Sequence, residues 1–368
     1  MYDAIVIGGG PAGSTCARFL TRGGARVAVV DRAEFPRVKL CAGWLSQPIW
    51  DVLALSPRDY PGGLWPWETC HVRYRGEDHA IACRGWFIRR YELDDFLLRQ
   101  SGAELHLATP VKAIHRDGDA WVVGELRARY LVGAGGTHCP VARVLAPPRP
   151  RGPVGVQEHE FRADPAAVAR TRLGEDGEPE LLLHDDLRGY SWNVPKTDWL
   201  NVGSGTLDPT EVRAAWTHAR EHFVDHVPAE SRPALDAMKG HSYYLFDPAH
   251  FAGAARDNAL LVGDSLGLAQ PVTAEGILPA ALSGRIAAEA ILASDVASYA
   301  ARLRAQRVIA DYTRVFRLRE AVRSRPKTPS RFARRAVARG FAWMFSGARL
   351  PAPQVIDLAL RFLDRRHA

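Results

Sequence analysis

An α/β fold, a parallel sheet carrying an inserted second sheet, is predicted by three observations. Tyr2–Gly8 is an apolar strand with Ala-Ile-Val-Ile at its middle, Pro11 to about Arg22 reads as a helix, and Val27–Val30 is a second strand ending at Asp31. That is a βαβ opening, whose two strands run parallel. A third apolar strand, Asn258–Val262, precedes a long helix over Gly276–Ala293. Between these ends, Val154–Phe246 is strand-rich with one helix near Thr210–His226, the mark of a separate sheet.

Composition sets the outer limits. The 368 residues suggest two or three interleaved or serial units. With 47% hydrophobic and 24% charged residues, the chain is neither disordered nor fibrous. Its least polar long stretch, Ser265–Gly284, carries Glu275 and two prolines, so no membrane span is expected. The opening apolar run ends in glycines and lacks a basic leader, so no secretory leader is expected either. Cys16, Cys41, Cys70, Cys83 and Cys139 show no zinc spacing and no Cys-x-x-Cys pair. A reduced, cytoplasmic protein follows, with membrane-peripheral placement as the variant.

The remaining elements follow in order. Trp44–Trp67 is crowded with Pro and Trp and reads as loop with one helix. Cys70–Arg75 and His79–Cys83 form a hairpin about Gly76, which would set Cys70 opposite Cys83 as free thiols. Tyr91–Gln100 is helical, and Val111–Asp117, Ala120–Val123 and Ala128–Val132 are strands. Pro147–Pro153 marks a boundary, and everything after Val296 is helical.

The chemistry begins at Gly8-Gly9-Gly10-Pro11-Ala12-Gly13, a G-x-G-x-x-G between strand and helix. Gly8 allows the tight turn, Gly10 admits a pyrophosphate to the backbone, and Gly13 lets helix and strand pack closely. The helix N-terminus then offers amides and positive dipole to phosphates. Asp31, 18 residues beyond Gly13, stands where a carboxylate takes ribose hydroxyls. This motif does not separate NAD from FAD. A second one does. Leu260-Leu261-Val262-Gly263-Asp264 ends a strand in a carboxylate suited to a ribityl chain. Thr273-Ala274-Glu275-Gly276-Ile277 then opens a helix whose amides can face a flavin carbonyl and hold negative charge on reduced flavin. Tyr130–Thr137 is a further strand running into glycines, including Ala134 and Gly135.

Gly8–Asp31, Gly133–Arg143 and Gly263–Ile277 together resemble the FAD-dependent class built on the p-hydroxybenzoate hydroxylase fold, over about the first 295 residues. Gly135 departs from the Asp or Ser common in that class. The resemblance implies a Rossmann-like FAD-binding domain over 1–60, 85–150 and 255–295. It implies an inserted antiparallel β-sheet substrate domain over 61–84 and 151–254, and a C-terminal helical extension over 296–368. It also implies cofactor contacts from Arg32, Lys39, Cys41, Ala42, Arg90 and Val111.

Two segments choose a branch. Lys39-Leu40-Cys41-Ala42-Gly43-Trp44-Leu45-Ser46 resembles the Cys-Gly-Gly-x-Leu-Ser stretch of the geranylgeranyl reductase family, with Ala42 for a Gly and a bulky Trp44. Tyr190-Ser191-Trp192-Asn193-Val194-Pro195-Lys196 resembles its Tyr-x-Trp-x-Phe-Pro motif. Flavin halogenases carry a similar Trp-x-Trp-x-Ile-Pro but need a lysine in a region that is empty of lysine here, between Lys39 and Lys112. The resemblance thus implies reduction of a carbon–carbon double bond in an isoprenoid-like apolar substrate. That reaction needs a proton donor near flavin N5, aromatic walls and little water. Cys41 suits the donor, or an inert buried thiol; Tyr190, Trp192, Pro195 and Trp44 suit the walls, or plain packing. The reductant is a transiently bound NAD(P)H or another donor. Two other readings stay open: a monooxygenase of aromatic or polyketide substrates, and a non-catalytic flavoprotein at a membrane.

Charge is concentrated late. The formal net charge is +7, and basic residues recur from Arg302 to Arg339 among apolar residues at helical spacing. This is solvated helix surface or a face resting on anionic lipid; no nucleic-acid motif accompanies it. Glu158-His159-Glu160 and His184-Asp185-Asp186 raise metal binding, but His159 points away from its neighbours in a strand, and no metal is expected. Oligomeric state and substrate identity have no signature in the sequence.

Overall fold

The structure, a computed structural model, describes residues 1–168, 178–323 and 331–345. The chain opens as expected: β1 (Tyr2–Ile7), α1 (Pro11–Arg22) and β2 (Val27–Val30). β3 (Trp44–Ser46) and α2 (Ile49–Leu53) follow, then the hairpin β4 (Trp65–Tyr74) and β5 (Glu77–Phe87). Next are α3 (Arg90–Arg99), β6 (Glu104–His106), β7 (Ile114–Asp117), β8 (Ala120–Val123), β9 (Leu126–Gly133) and α4 (Pro140–Leu145). The inserted segment contributes β10 (Val154–Arg162), α5 (Pro165–Val168), β11 (Glu180–Leu183), β12 (Gly189–Lys196), β13 (Trp199–Thr206), α6 (Val212–Phe223) and β14 (Lys239–Tyr243). The chain returns through β15 (Ala255–Arg256), β16 (Ala259–Leu261) and α7 (Ile277–Leu292), then α8 (Tyr299–Ala305), α9 (Arg307–Arg323) and α10 (Arg331–Phe345).

Two eight-stranded sheets organise these elements. The first runs β15-β16-β9-β1-β2-β6, with β1 parallel to both β2 and β9 and β9 parallel to β16. Its strands are apolar without alternation because helices cover both faces. α7 is apolar nearly all round and lies against α1. The approach is so close that a Cβ on Gly284 would sit 2.2 Å from the Ala12 carbonyl oxygen. This crossing brings the Gly8–Gly13 loop and the α7 N-terminus to one place.

The second sheet runs β14-β10-β13-β12-β11-β4-β5-β3 and is antiparallel except at β11/β4, where two segments distant in sequence meet in parallel. One face packs on α10 and lines a cavity; the other is covered by α6. Trp44–Ser46, expected as loop, is a three-residue edge strand on β5. So short a strand has no periodicity of its own. Cys70 is opposite Ile81, with Cys83 offset by two residues on the same strand, and both are free buried thiols. The strand expected from Val111 begins at Ile114, leaving Val111 on a loop that reaches the cavity.

No helix among the described residues is long and apolar enough to cross a membrane. α10 turns Ala338, Phe341, Ala342 and Phe345 inward and leaves Arg335 and Arg339 exposed. The expected basic positions Arg325 and Lys327 lie outside the described residues.

Candidate active site

One continuous cavity of about 620 Å³ runs from the glycine loop of the first sheet to the inner face of the second. At its nucleotide end, Gly8 has φ +113, and a Cβ there would meet the Ala134 oxygen at 2.4 Å. Only glycine fits that backbone. Gly10 is the N-cap of α1 and offers no capping side chain, so the first helical amides are left for a ligand. Asp31 fixes the loop: its carboxylate accepts from Gly9 N at 2.7 Å and Ala33 N at 2.9 Å. Around this end Arg32, Arg37 and Arg143 line the wall. Buried Asp94 holds Arg90 by two hydrogen bonds of 2.6 and 2.8 Å and takes Arg37 at 3.2 Å.

The middle of the cavity is walled by the turn after β16. Gly263 has φ +57 and delivers Asp264 to the wall. Among the described residues, no hydrogen bond is spent on the Asp264 carboxylate, which leaves it free to take hydroxyls. Gly276 caps α7, again without a side chain, so amides at a second helix N-terminus face the cavity beside Ile277. Open amides at one end, cationic groups next to them, then a free carboxylate and a second helix start match the demands of pyrophosphate, ribityl chain and flavin carbonyl. The residues present therefore fit FAD.

The far end is aromatic. Trp44 lies tilted against Phe345 at 4.3 Å between ring centres, and Tyr190 lies 5.7 Å from Trp192 and 5.9 Å from Phe345. Tyr190 donates to the Thr273 carbonyl at 2.5 Å, and Trp192 donates to Asn201 Oδ1 at 2.7 Å. The Trp192 ring lies directly over Gly203, where a Cβ would come within 2.3 Å of it. Cys41 also lines the cavity, close to Arg90 and Tyr190. Its Sγ accepts from Gly43 N at 3.3 Å, and the Arg90 guanidinium is near enough to interact with it. The loop is pinned from below: a Cβ on Gly43 would clash with the Ile88 oxygen at 1.9 Å and press Lys196 Nζ at 3.0 Å. Lys196 is fully buried and pairs with Glu160 at 2.6 Å.

Two buried carboxyls and one imidazole share this space. Burial pushes Glu158 up to about 8, against the weaker pull of Lys39 and Lys196. Its Oε1 has no hydrogen-bond partner among the described residues. Burial pushes Glu275 up to about 7, although Ser46 donates to it at 2.7 Å. His241 is driven down to about 3 by burial and by the charges of Lys39 and Arg90, so it is neutral. Near neutral pH, Glu158 is thus chiefly a neutral acid.

The cavity gathers most of the residues singled out in the sequence: Gly8, Gly10, Pro11 and Ala12 of the loop, Asp31, Arg32, Lys39, Cys41, Ala42 and Trp44 after it. Arg90, Val111, Ala134, Gly135, Asp264, Gly276, Ile277, Tyr190 and Trp192 also line it. Three do not. Gly13 packs beneath Gly8, where a Cβ would meet the Gly8 oxygen at 1.9 Å, and Gly263 packs against Ala12. Pro195 is an odd number of residues from Trp192 on β12, so strand alternation turns it to the other face. Arg37 and the acid role of Glu158 carried no sequence signal. Gly203 sits in a Gly-Ser-Gly run on β13 that can be read only once its partner Trp192 is known.

Known proteins share sequence and fold with this chain. Residues 1–54 match the family model described as an FAD binding domain. The chain is 29% identical over 335 residues to the menaquinone reductase of Mycobacterium tuberculosis, covering 80% of this chain and 78% of that one. It is also 29% identical over 322 residues to the geranylgeranyl diphosphate reductase of Rhodobacter capsulatus, covering 79% and 75%. The solved geranylgeranyl bacteriochlorophyll reductase-like protein of Thermoplasma acidophilum superposes with TM-score 0.67 at 18% identity, covering 95% and 93%. A flavin-dependent brominase superposes equally well, TM-score 0.67 at 19% identity over 99% of each chain, so the likeness in structure speaks for the fold alone. FAD is the cofactor of this fold and of this chain. The chain is an FAD-dependent oxidoreductase, similar in sequence to the reductases named for menaquinone and geranylgeranyl diphosphate.

Proposed function

We propose that this enzyme reduces a carbon–carbon double bond of an isoprenoid-like apolar substrate held at the aromatic end of the cavity. The observation that carries the reading is the continuity of one cavity from the glycine loop at Gly8 and Gly10 to Trp44, Tyr190, Trp192 and Phe345, with Cys41 also on its wall. FAD held along this cavity would supply the electron pair as hydride, after reduction by transiently bound NAD(P)H or another donor. The relatives named for menaquinone and geranylgeranyl diphosphate act on isoprenoid-bearing molecules, which supports the substrate class.

The chain's own residues then have distinct tasks. An isolated alkene accepts hydride only as it is protonated, so an acid must stand beside it. Cys41 donates that proton from Sγ, and the positive charge of the nearby Arg90 stabilises the thiolate that remains. Glu158 is a second neutral acid on the same wall and serves as a proton reserve. Tyr190, Trp192 and Trp44 present ring faces to positive charge developing on carbon and exclude water. The outward Arg335 and Arg339 of α10 bring the cavity to an anionic lipid surface, where a long apolar substrate resides.

The test compares oxygen and alkene. With reduced holoenzyme and geranylgeranyl diphosphate or menaquinone, the proposal expects saturated product without substrate-dependent oxygen consumption. Oxygen uptake coupled to a hydroxylated product would replace it with the monooxygenase reading.

A further inference from the structure

The outer face of the second sheet carries a cluster that the flavin chemistry does not use. Glu180 opens β11, and strand alternation turns it away from the cavity that its neighbour Leu181 lines. α6 and the turn after it place His222 and His226 one helical turn apart, facing that carboxylate. His222 Nε2 lies 2.6 Å from one carboxylate oxygen, and His226 Nδ1 lies 2.7 Å from the other. The two imidazole rings are edge to face, with centres 4.8 Å apart. One ligand atom from each of the three side chains falls within 4.8 Å of the others. Glu180 and His226 are buried, and His222 is half-buried.

The surroundings make this cluster unusual for a hydrogen-bonded knot. Phe161, Leu182, Leu200, Trp216, Phe223 and Leu235 form an apolar shell on this side of the sheet. Among the described residues, no Lys or Arg pairs with Glu180; its partners are the two imidazoles alone. A carboxylate in apolar surroundings needs groups facing it that satisfy its charge, and here the two imidazoles alone converge on it. Two imidazole nitrogens and one carboxylate oxygen are the donor set of first-row divalent metals, zinc above all, at N and O distances near 2.0–2.2 Å. Small rotations of the three side chains would bring the donors to one centre.

We infer that Glu180, His222 and His226 form a binding site for a divalent transition metal of the zinc type, which fastens α6 to β11. Binding requires each imidazole to offer a lone pair at Nε2 of His222 and Nδ1 of His226. The ring proton of a neutral imidazole moves to its other nitrogen, and a protonated imidazole releases one proton to solvent. No oxidation or reduction is involved. The half-buried edge at His222 leaves room for water as a further ligand. The site lies across the sheet from the cavity, so its role is structural and does not depend on what the flavin reduces.

The test uses the full-length FAD-loaded protein, stripped with a chelator and titrated with zinc chloride. One equivalent of zinc bound per chain and a higher Tm with zinc than with chelator are expected. Glu180→Gln and the double variant His222→Gln/His226→Gln should weaken zinc binding by about 100-fold or more while retaining FAD. Absence of stoichiometric binding by the wild type overturns the inference. So does full binding by either variant, which would point instead to the free cysteines. Should the double variant fail to fold, X-ray absorption on the zinc-loaded wild type decides. Two imidazoles and one carboxylate in the coordination sphere support the site, and sulfur ligands overturn it.

Discussion

Glu158 and Glu180 stand on the same antiparallel sheet and are buried almost equally, 1% and 8% exposed, yet they are pushed in opposite directions. Burial is the largest influence on both and favours the neutral acid in both. On Glu158 it prevails, and the carboxyl rises to about 8. On Glu180 the hydrogen bonds from His222 and His226, with their charge, outweigh it, and the carboxyl falls to about 2. The difference is in the face of the sheet. The cavity face leaves an acid without a donor and so keeps its proton available. The outer face surrounds an acid with donors and so keeps an anion. One sheet thereby separates a wall for chemistry from a joint for stability.

Variants on the two faces should fail in different ways. The largest effect is expected on the cavity side. Cys41→Ser should slow alkene reduction in a single turnover by about 10²–10⁴-fold. Reduction of the flavin by its donor, and the Tm, should be nearly unchanged. A normal alkene step in this variant would remove Cys41 from the chemistry.

Gly203→Val places side-chain atoms where the Trp192 ring lies. Overpacking of this kind costs about 1–3 kcal/mol. Because Trp192 is the group displaced, the KM for the alkene should rise while FAD binding holds. Crystal structures or titrations showing an undisturbed pocket would contradict the packing described here.

On the outer face, Glu180→Gln takes a charged acceptor from the buried His226 and the half-buried His222, which costs about 1–3 kcal/mol. Thermal melts should show a Tm lower by several degrees, at about 2–4 °C per kcal/mol for a chain unit of this size. Turnover per folded molecule should stay at the wild-type level. The sign with pH is fixed by the lowered carboxyl. Its stabilisation is full above the unfolded carboxyl range and lost as pH falls toward 2, so wild type and variant should converge in acid.

The smallest effect is Glu158→Gln, and its pH dependence runs oppositely. A raised carboxyl favours the folded state at low pH, where both states are protonated, and loses ground as pH climbs from the unfolded carboxyl range to about 8. The variant should therefore be as stable as the wild type near neutrality or more so, with a flatter Tm profile between these limits. A profile parallel to that of the wild type would show Glu158 to be ionised.

Much of the cofactor end was legible because its determinants are local. Gly8, Gly10 and Asp31 were expected together, and all three line the cavity, because a strand, a tight turn and a helix start lie within one short stretch. Asp264 and Gly276 line it for the same reason. The second sheet was less legible because its faces are set by pairing between distant segments. Glu158 and Glu160 were seen to share a face, but only the register with β13 and β14 shows that this face is the cavity. Trp44–Ser46 is a strand because β5 pairs with it, not because of its own residues. The Glu180 cluster joins a strand to a helix some forty residues later, a separation that no spacing motif spans.

The central claim is that one cavity passes electrons from FAD to an alkene while Cys41 supplies the proton. It is tested most directly by mixing photoreduced holoenzyme with geranylgeranyl diphosphate or menaquinone under strict anaerobiosis, following the flavin absorbance and the product mass together. The account predicts reoxidation of the flavin in step with the appearance of a product two hydrogens heavier, and loss of that step in Cys41→Ser. A flavin that stays reduced until oxygen is admitted, and then yields an oxygenated product, would contradict it.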